Sequence, residues 1–137
     1  MNKFSPISSQ RLLTCDQRLQ EIMVRALSRS KVDFGIAEGQ RTIQRQIELF
    51  KEKKTGKDGV NHLSKHNYNP SLAVDIYGWV DGKMDYSIPV MCYLAGVIES
   101  VAGEFGFKIR WGGNWDGDGI IITDQNFDDL PHFEIVK

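Results

Sequence analysis

Cysteine is scarce in this chain, with Cys15 and Cys92 the two in 137 residues. Each falls in a segment with helical patterning rather than in a paired framework, so both read as small core residues of a reducing compartment, and no structural disulfide is expected. Charge of one sign is lacking as well. Seventeen Lys and Arg against eighteen Asp and Glu leave a formal net charge of −1, which excludes a global basic field of the kind that drives non-specific nucleic-acid binding. No nucleic-acid partner is expected. The N-terminal MNKFSPISSQRLL lacks the apolar centre of a signal peptide, and no apolar run approaches a membrane span. These absences predict a chain made in the cytoplasm, with no signal peptide and no membrane insertion. Repeats, low-complexity tracts and linkers are missing too. One domain over residues 1–137 is the expectation, a size that closes a single core without staples.

The residues present alternate between two periods. From Ser9 to Ser30, Leu12, Leu19, Ile22, Met23, Ala26 and Leu27 follow a 3.6 repeat and predict one amphipathic helix, with Ser8 or Ser9 as its cap. Val32 to Ala37 predicts a strand. Thr42 to Lys54 predicts a second helix with Ile43, Ile47 and Phe50 on one face and Glu48, Lys51, Glu52 and Lys53 solvated. Thr55 to Pro70 reads as loop, Leu72 to Val80 as a strand, Asp81-Gly82 as its turn and Lys83 to Tyr86 as a short return. Pro89 opens a third helix ending near Gly103 or Gly106, and Phe107 to Trp111 and His132 to Val136 add two strands. The fold class predicted is α+β: one small domain with a short, mostly antiparallel sheet and about three helices.

Chemistry concentrates in the third of the chain's histidines and in the stretch SKHNYNPSLAVDI. His66 lies in a polar turn, and nine residues later Asp75 sits in an apolar strand beside the small Ala73, on the same face. An unpaired carboxylate there would be costly to bury. A divalent cation removes that cost, and His66, His132 and Asp75 would make a tetrahedral zinc site with its fourth position open, placed on the sheet. The alternative is a salt-bridged Asp75 with two surface histidines.

SKHNYNPSLAVD resembles the SxH…AxD signature of the zinc D-alanyl-D-alanine carboxypeptidase and L-alanyl-D-glutamate endopeptidase family. Asp129-Leu130-Pro131-His132-Phe133-Glu134 resembles its second signature, in which an acidic residue stands three positions before the last zinc histidine. Gly39-Gln40-Arg41-Thr42 looks like the family's arginine-bearing turn, and Arg110-Trp111-Gly112-Gly113-Asn114-Trp115-Asp116 looks like a stretch of its phage-endolysin members. These matches span Gly39 to Glu134 in the family's order. Here Asn69-Pro70-Ser71-Leu72 fills an interval that is shorter in many members, with a glycine before the alanine. That difference bears on the loop more than on the ligands.

The resemblance implies that His66, Asp75 and His132 hold Zn²⁺, that Asp129 is the general base and that Arg41 stabilises the oxyanion. Asp128 is the rival base, and an ion pair at a helix start is the alternative for Arg41. Ser64 would orient a group near the metal or simply cap a turn. Glu134 would be a partner of a ligand or a surface strand residue. His62 matches no signature, and Trp111 and Trp115 would line the substrate groove or fill the core. Asn114, Asp116 and Asp118 follow a calcium-loop spacing with glycine at its sixth position, yet Gln125 stands where a bidentate glutamate is expected. Ca²⁺ is thus a second cofactor expectation, against an acidic turn bordering the groove. Together these features predict a monomeric zinc peptidase of the peptidoglycan stem, cutting the L-Ala–D-Glu bond as a phage endolysin without a separate wall-binding domain. It would reach the periplasm and wall at host lysis. A D-Ala–D-Ala carboxypeptidase and a catalytically inactive zinc-stabilised binding module are the alternatives.

Overall fold

A computed structural model describes residues 2–136. The predicted first helix is broken in two, α1 (Pro6–Leu12) and α2 (Gln17–Arg29). Leu12 and Leu19 are seven residues apart and face the core on either side of the break, so the hydrophobic period runs through it unchanged. The break itself is polar. Asp16 accepts from the Arg18 backbone N–H at 2.9 Å and caps α2, while Thr14 bonds back to the Arg11 carbonyl. Cys15 therefore lies between helices, bridged in parallel to Ser71 and buried. Ser5, not Ser8 or Ser9, caps α1 through the Ser8 N–H. Ser8 is instead buried, and its hydroxyl accepts from the Ile36 N–H.

The described residues also form five strands: β1 (Asp33–Glu38), β2 (Ala73–Val80), β3 (Lys83–Asp85), β4 (Ile109–Gly112) and β5 (Asp129–Ile135). They form one antiparallel sheet in the order β1-β2-β5-β4, with β3 paired to β2. Helix α3 (Ile43–Lys51) and helix α4 (Ile88–Phe105) bring the α-helices among the described residues to four, one more than expected because of the early break. Val74, Ile76, Phe133 and Ile135 point to one face of the sheet and join Leu19, Ile22, Met23, Leu94 and Ile98 in the core. Truncating one of these leucines to alanine would cost about 2–5 kcal/mol.

Two helices depart from expectation. By length and composition α4 is long and apolar enough to cross a membrane, contrary to the expectation that no apolar run approaches a span. In the fold it is a core helix: Met91, Leu94, Ala95, Ile98, Val101 and Ala102 are buried, and Gly106 at φ 76° ends it in a left-handed cap. Helix α3 exposes Ile43 and Phe50 and fully buries Gln46 instead. The amide of Gln46 is spoken for. It accepts from Arg41 at 2.7 Å and donates to the Lys57 carbonyl at 2.7 Å and to Thr55 at 3.2 Å, which offsets the cost of burying it.

Candidate metal centre and active site

Asp75 and His132 are directly opposite each other in the β2–β5 ladder, and Ala73 is opposite Glu134. Cross-strand pairing on one face therefore places three of the predicted residues side by side. His66 arrives from a 3-10 turn, Lys65–Asn67, whose N-cap is Ser64. Ser64 accepts from the His66 N–H, and Asn67 accepts from the Ser64 N–H, so Ser64 caps the turn that aims His66. The longer interval after the turn is stitched down as well. Ser71 donates its N–H to the Thr14 carbonyl and accepts from the Asp16 N–H, and the Leu72 N–H bonds the Lys65 carbonyl.

The three side chains converge on one point. His66 Nε2 lies 3.2 Å and His132 Nδ1 3.1 Å from the same oxygen, Asp75 Oδ1. The opposite ring nitrogens are both occupied: His66 Nδ1 donates to the Gly39 carbonyl at 2.7 Å, and His132 Nε2 donates to Glu134 at 2.8 Å. Those bonds fix the tautomers, so each neutral imidazole aims a lone pair at a carboxylate oxygen. Three acceptors facing one another repel unless a cation stands among them. In the protein alone that cation is a proton. Burial opposes charge on His132, but its bonds to Asp75 and Glu134 outweigh it and raise the imidazole to about 9. Burial likewise opposes charge on Asp75, yet the interactions with His132 and His66 around that shared proton hold its carboxyl well below the usual range. His66, Asp75 and His132 can together hold a metal ion. The donor set of two imidazoles and a carboxylate, each histidine anchored from behind, fits zinc.

Gly39 is required for that anchoring. A Cβ there would collide with the Arg11 carbonyl and the Thr14 hydroxyl, so no larger residue lets the chain pass close enough to offer its carbonyl to His66.

Two bulges place the remaining groups. Ile36 pairs with Ile76, but Glu38 pairs with Asp75, which leaves Ala37 extra and brings Glu38 beside Arg41. Trp111 pairs with Phe133, but Gly112 pairs with Asp129, so the strand containing Pro131 bows out and Asp129 returns to the His132 side. Asp129 Oδ2 lies 3.9 Å from His132 Nδ1. Burial, then the charge of Asp75, raises the Asp129 carboxyl, against His132, His66 and Arg41. Asp128 is exposed, and its carboxylate is taken by the Gln125 amide at 2.6 Å. Arg41 is mostly buried: one terminal nitrogen bonds Gln46, another pairs with Glu38, and Nε is buried with no partner among the described residues. The expected ion pair at a helix start is thus present, on an arginine that also lines the cleft.

That cleft, about 930 Å³, is lined by Arg41, His66, Asp75, Asp129, His132 and Glu134 together with Ser64, Trp115 and Phe127. Trp115 stacks on Phe127 with ring centres 6.5 Å apart and stands 5.6 Å from the His132 ring. Trp111 is buried, with its indole N–H on the Leu130 carbonyl inside the bulge. Glu134 also approaches Arg110 at 3.6 Å. His62 is exposed beside Asp58. In the loop after β4, Asp124 joins Asp116 and Asp118 in an exposed acidic group. Asn114 is turned inward, donating to the Asp118 carbonyl at 2.8 Å while its Oδ1 is buried without a partner. Gln46, Glu38 and Phe127 were not found by sequence reasoning, and Gly39 was visible there only as part of the arginine-bearing turn.

A family model described as phage L-alanyl-D-glutamate peptidase matches residues 1–136. The chain belongs to that peptidase family. It is 28% identical over 118 residues to the L-alanyl-D-glutamate peptidase of Escherichia phage T5, covering 85% of this chain and 84% of the relative. The crystal structure of the Serratia marcescens L-Ala D-Glu endopeptidase ChiX superposes with a TM-score of 0.80, covering 98% of this chain and 90% of that one. At 24% identity that likeness is one of fold.

Proposed function

We propose that this chain is a zinc-dependent endopeptidase that hydrolyses the L-Ala–D-Glu bond of the bacterial peptidoglycan stem and acts as a phage endolysin. The observation that carries the reading is the convergence of His66, His132 and Asp75 on one point, with Asp129 and Arg41 in the same cleft. Membership of a peptidase family supplies the reaction class.

Zinc held by His66, Asp75 and His132 would supply Lewis acidity, polarising the scissile carbonyl and acidifying water. Asp129 takes a proton from the attacking water and hands it to the leaving amine, and its raised carboxyl is suited to both halves of that transfer. Arg41 lines the cleft with its terminal nitrogens held by Gln46 and Glu38, and its fixed positive charge faces the place where the oxyanion develops. Glu134 and the Gly39 carbonyl hold the imidazoles in the tautomers that keep their metal-facing nitrogens free. Trp115 and Phe127 offer an apolar wall for the stem.

An open cleft supports cleavage within a chain over removal of a terminal D-alanine. A single-domain monomer acting in the wall at lysis is the extension of this reading. The acidic group Asp116, Asp118 and Asp124 supports a second, calcium-type site in the loop. Digestion of purified peptidoglycan by zinc-loaded protein should yield stem peptides beginning with D-Glu, with L-Ala left on muramic acid and glycan strands intact. Free D-alanine without those fragments, or cut glycan, overturns the proposal.

A further inference from the structure

The net charge of the chain is −1, yet the cleft is bordered by a concentration of cations. Lys53, Lys54, Lys57 and Lys65 all line it, from the end of α3 to the turn that carries His66. Of the acids in its lining, Asp75 and Asp129 are engaged around the histidines, and Glu134, bonded to His132, also feels the charges of Arg110 and Lys65, which leaves Lys53 and Lys57 uncompensated. Lys54 pairs with Glu52 at 3.2 Å, and Lys65 stands over the Tyr68 ring. Lys53 and Lys57 have no carboxylate within ion-pair distance among the described residues. Like charges gathered without partners repel, and an arriving anion relieves that repulsion.

The rim is also held in register with the chemistry. Buried Gln46 holds the Lys57 carbonyl with its amide nitrogen and Arg41 with its amide oxygen. One side chain thereby fixes the distance between the lysine loop and the arginine beside the metal site.

We propose that Lys53 and Lys57, with Lys54 and Lys65 adding to the field, form a carboxylate subsite for the leaving side of the stem peptide. The inference rests on the proposed substrate. In that substrate the anions lie on one side of the scissile bond: D-Glu continues through its side-chain carboxyl and keeps its α-carboxylate, and the next diamino acid carries more. On the other side L-Ala leads into a muramic acid whose carboxyl is already an amide. A cationic rim therefore sets the direction in which the stem lies in the cleft. It also separates stems with a free D-Glu α-carboxylate from stems in which that group is an amide.

The test uses the zinc-loaded full chain and a ligand it does not cut, the γ-D-Glu–diaminopimelate dipeptide, compared by titration calorimetry with the same dipeptide bearing an α-amide. At low salt the free acid should bind about five- to tenfold tighter, as expected for one or two partly exposed ion pairs. The preference should shrink to within about twofold in Lys53→Gln/Lys57→Gln, and equally when about 0.5 M salt is added to wild type. Lys83→Gln, on β3, should keep it. Equal affinities in wild type, a preference that survives the double substitution, or no binding of either dipeptide overturns the subsite. Parallel digestion of peptidoglycan separates the two readings: cleavage without carboxylate preference sinks the subsite alone, and preferential binding without cleavage sinks the peptidase reading while the anion site stands.

Discussion

Among the described residues metal-capable side chains gather twice, and the two groups differ in everything but the number of side chains. His66, Asp75 and His132 sit on paired strands and a capped turn, shielded from water, and each imidazole is gripped from behind. Asp116, Asp118 and Asp124 hang from an exposed loop, and Gln125 holds that loop by its amide to Gly112, Phe127 and Asp128 rather than offering an oxygen to a cation. In the first group the protein has already met the cost of ordering the ligands. In the second the ion must order them itself. Preorganisation, rather than ligand count, separates a tight site from a weak one.

The largest effects should come from breaking the first group. His132→Ala or His66→Ala should lose both zinc and turnover, whereas Asp116→Asn with Asp118→Asn should keep about one zinc per chain by elemental analysis. Zinc retained in either histidine variant would sink the assignment. One step smaller, Asp129→Asn should keep the metal and lose about 10²–10⁴ in turnover, since it removes the proton acceptor and no ligand. Asp128→Asn should be mild because Asp128 serves Gln125, outside the reacting centre. Arg41→Ala should cost about 2.7–4 kcal/mol of transition-state stabilisation, again with zinc in place. Turnover measured beside metal content distinguishes all of these from simple loss of the site.

How much of this could be read in the sequence follows from what each pattern encodes. Strand and helix periods were visible because apolar side chains repeat with the core, and the β2–β5 face could be anticipated from Asp75 alternating with Val74 and Ile76. Breaks were invisible wherever the hydrophobic period ran through them, as at Thr14 to Asp16. Helix α3 misled because Ile43 and Phe50 look like a core face, while the group that the fold buries is Gln46. No local pattern marks a glutamine whose partners stand at positions 41, 55 and 57. The grouping of His66, Asp75 and His132 was legible as residue types at family spacing. Their tautomers were not, since the Gly39 carbonyl and Glu134 reach the histidines only in three dimensions. The return of Asp129 beside His132 likewise depends on a bulge, for which Pro131 is the one local sign.

A smaller effect sharpens the contrast by replacing the metal with a proton. In metal-free protein His132 is raised from 6.5 to about 9, so its contribution to stability is fully present below pH 6.5 and lost as pH rises through about 9. Asp75 is lowered, so its contribution holds above the ordinary carboxylate range and is lost only as pH falls through its depressed value. Apo protein should therefore melt several degrees lower at pH 9.5 than at pH 6. Zinc-loaded protein should lose that alkaline decline, because the ion does the proton's work, and should weaken in acid as the histidines protonate. A metal-free melting curve that is flat from pH 6 to 9.5 would contradict the pairing.

The smallest effect belongs to the loop. Slight desolvation by neighbouring groups, then the charges of Asp116 and Asp118, raise the exposed Asp124 carboxyl, as expected of acids crowded without a counter-ion. Calcium should relieve that crowding, but an exposed three-carboxylate loop without the bidentate glutamate belongs among weak sites, with Kd on the order of 10⁻³ M. At about 10 mM Ca²⁺ such a site stabilises the fold by about 1.4 kcal/mol. That is small beside the loss of zinc, yet large enough to see as a rise in Tm. Magnesium, which demands tighter octahedral geometry, should give much less. Asp118→Asn should abolish the calcium shift and leave zinc content untouched. A shift that persists in Asp118→Asn would place the calcium elsewhere. No shift at all would leave Asp116, Asp118 and Asp124 as a solvated turn bordering the groove.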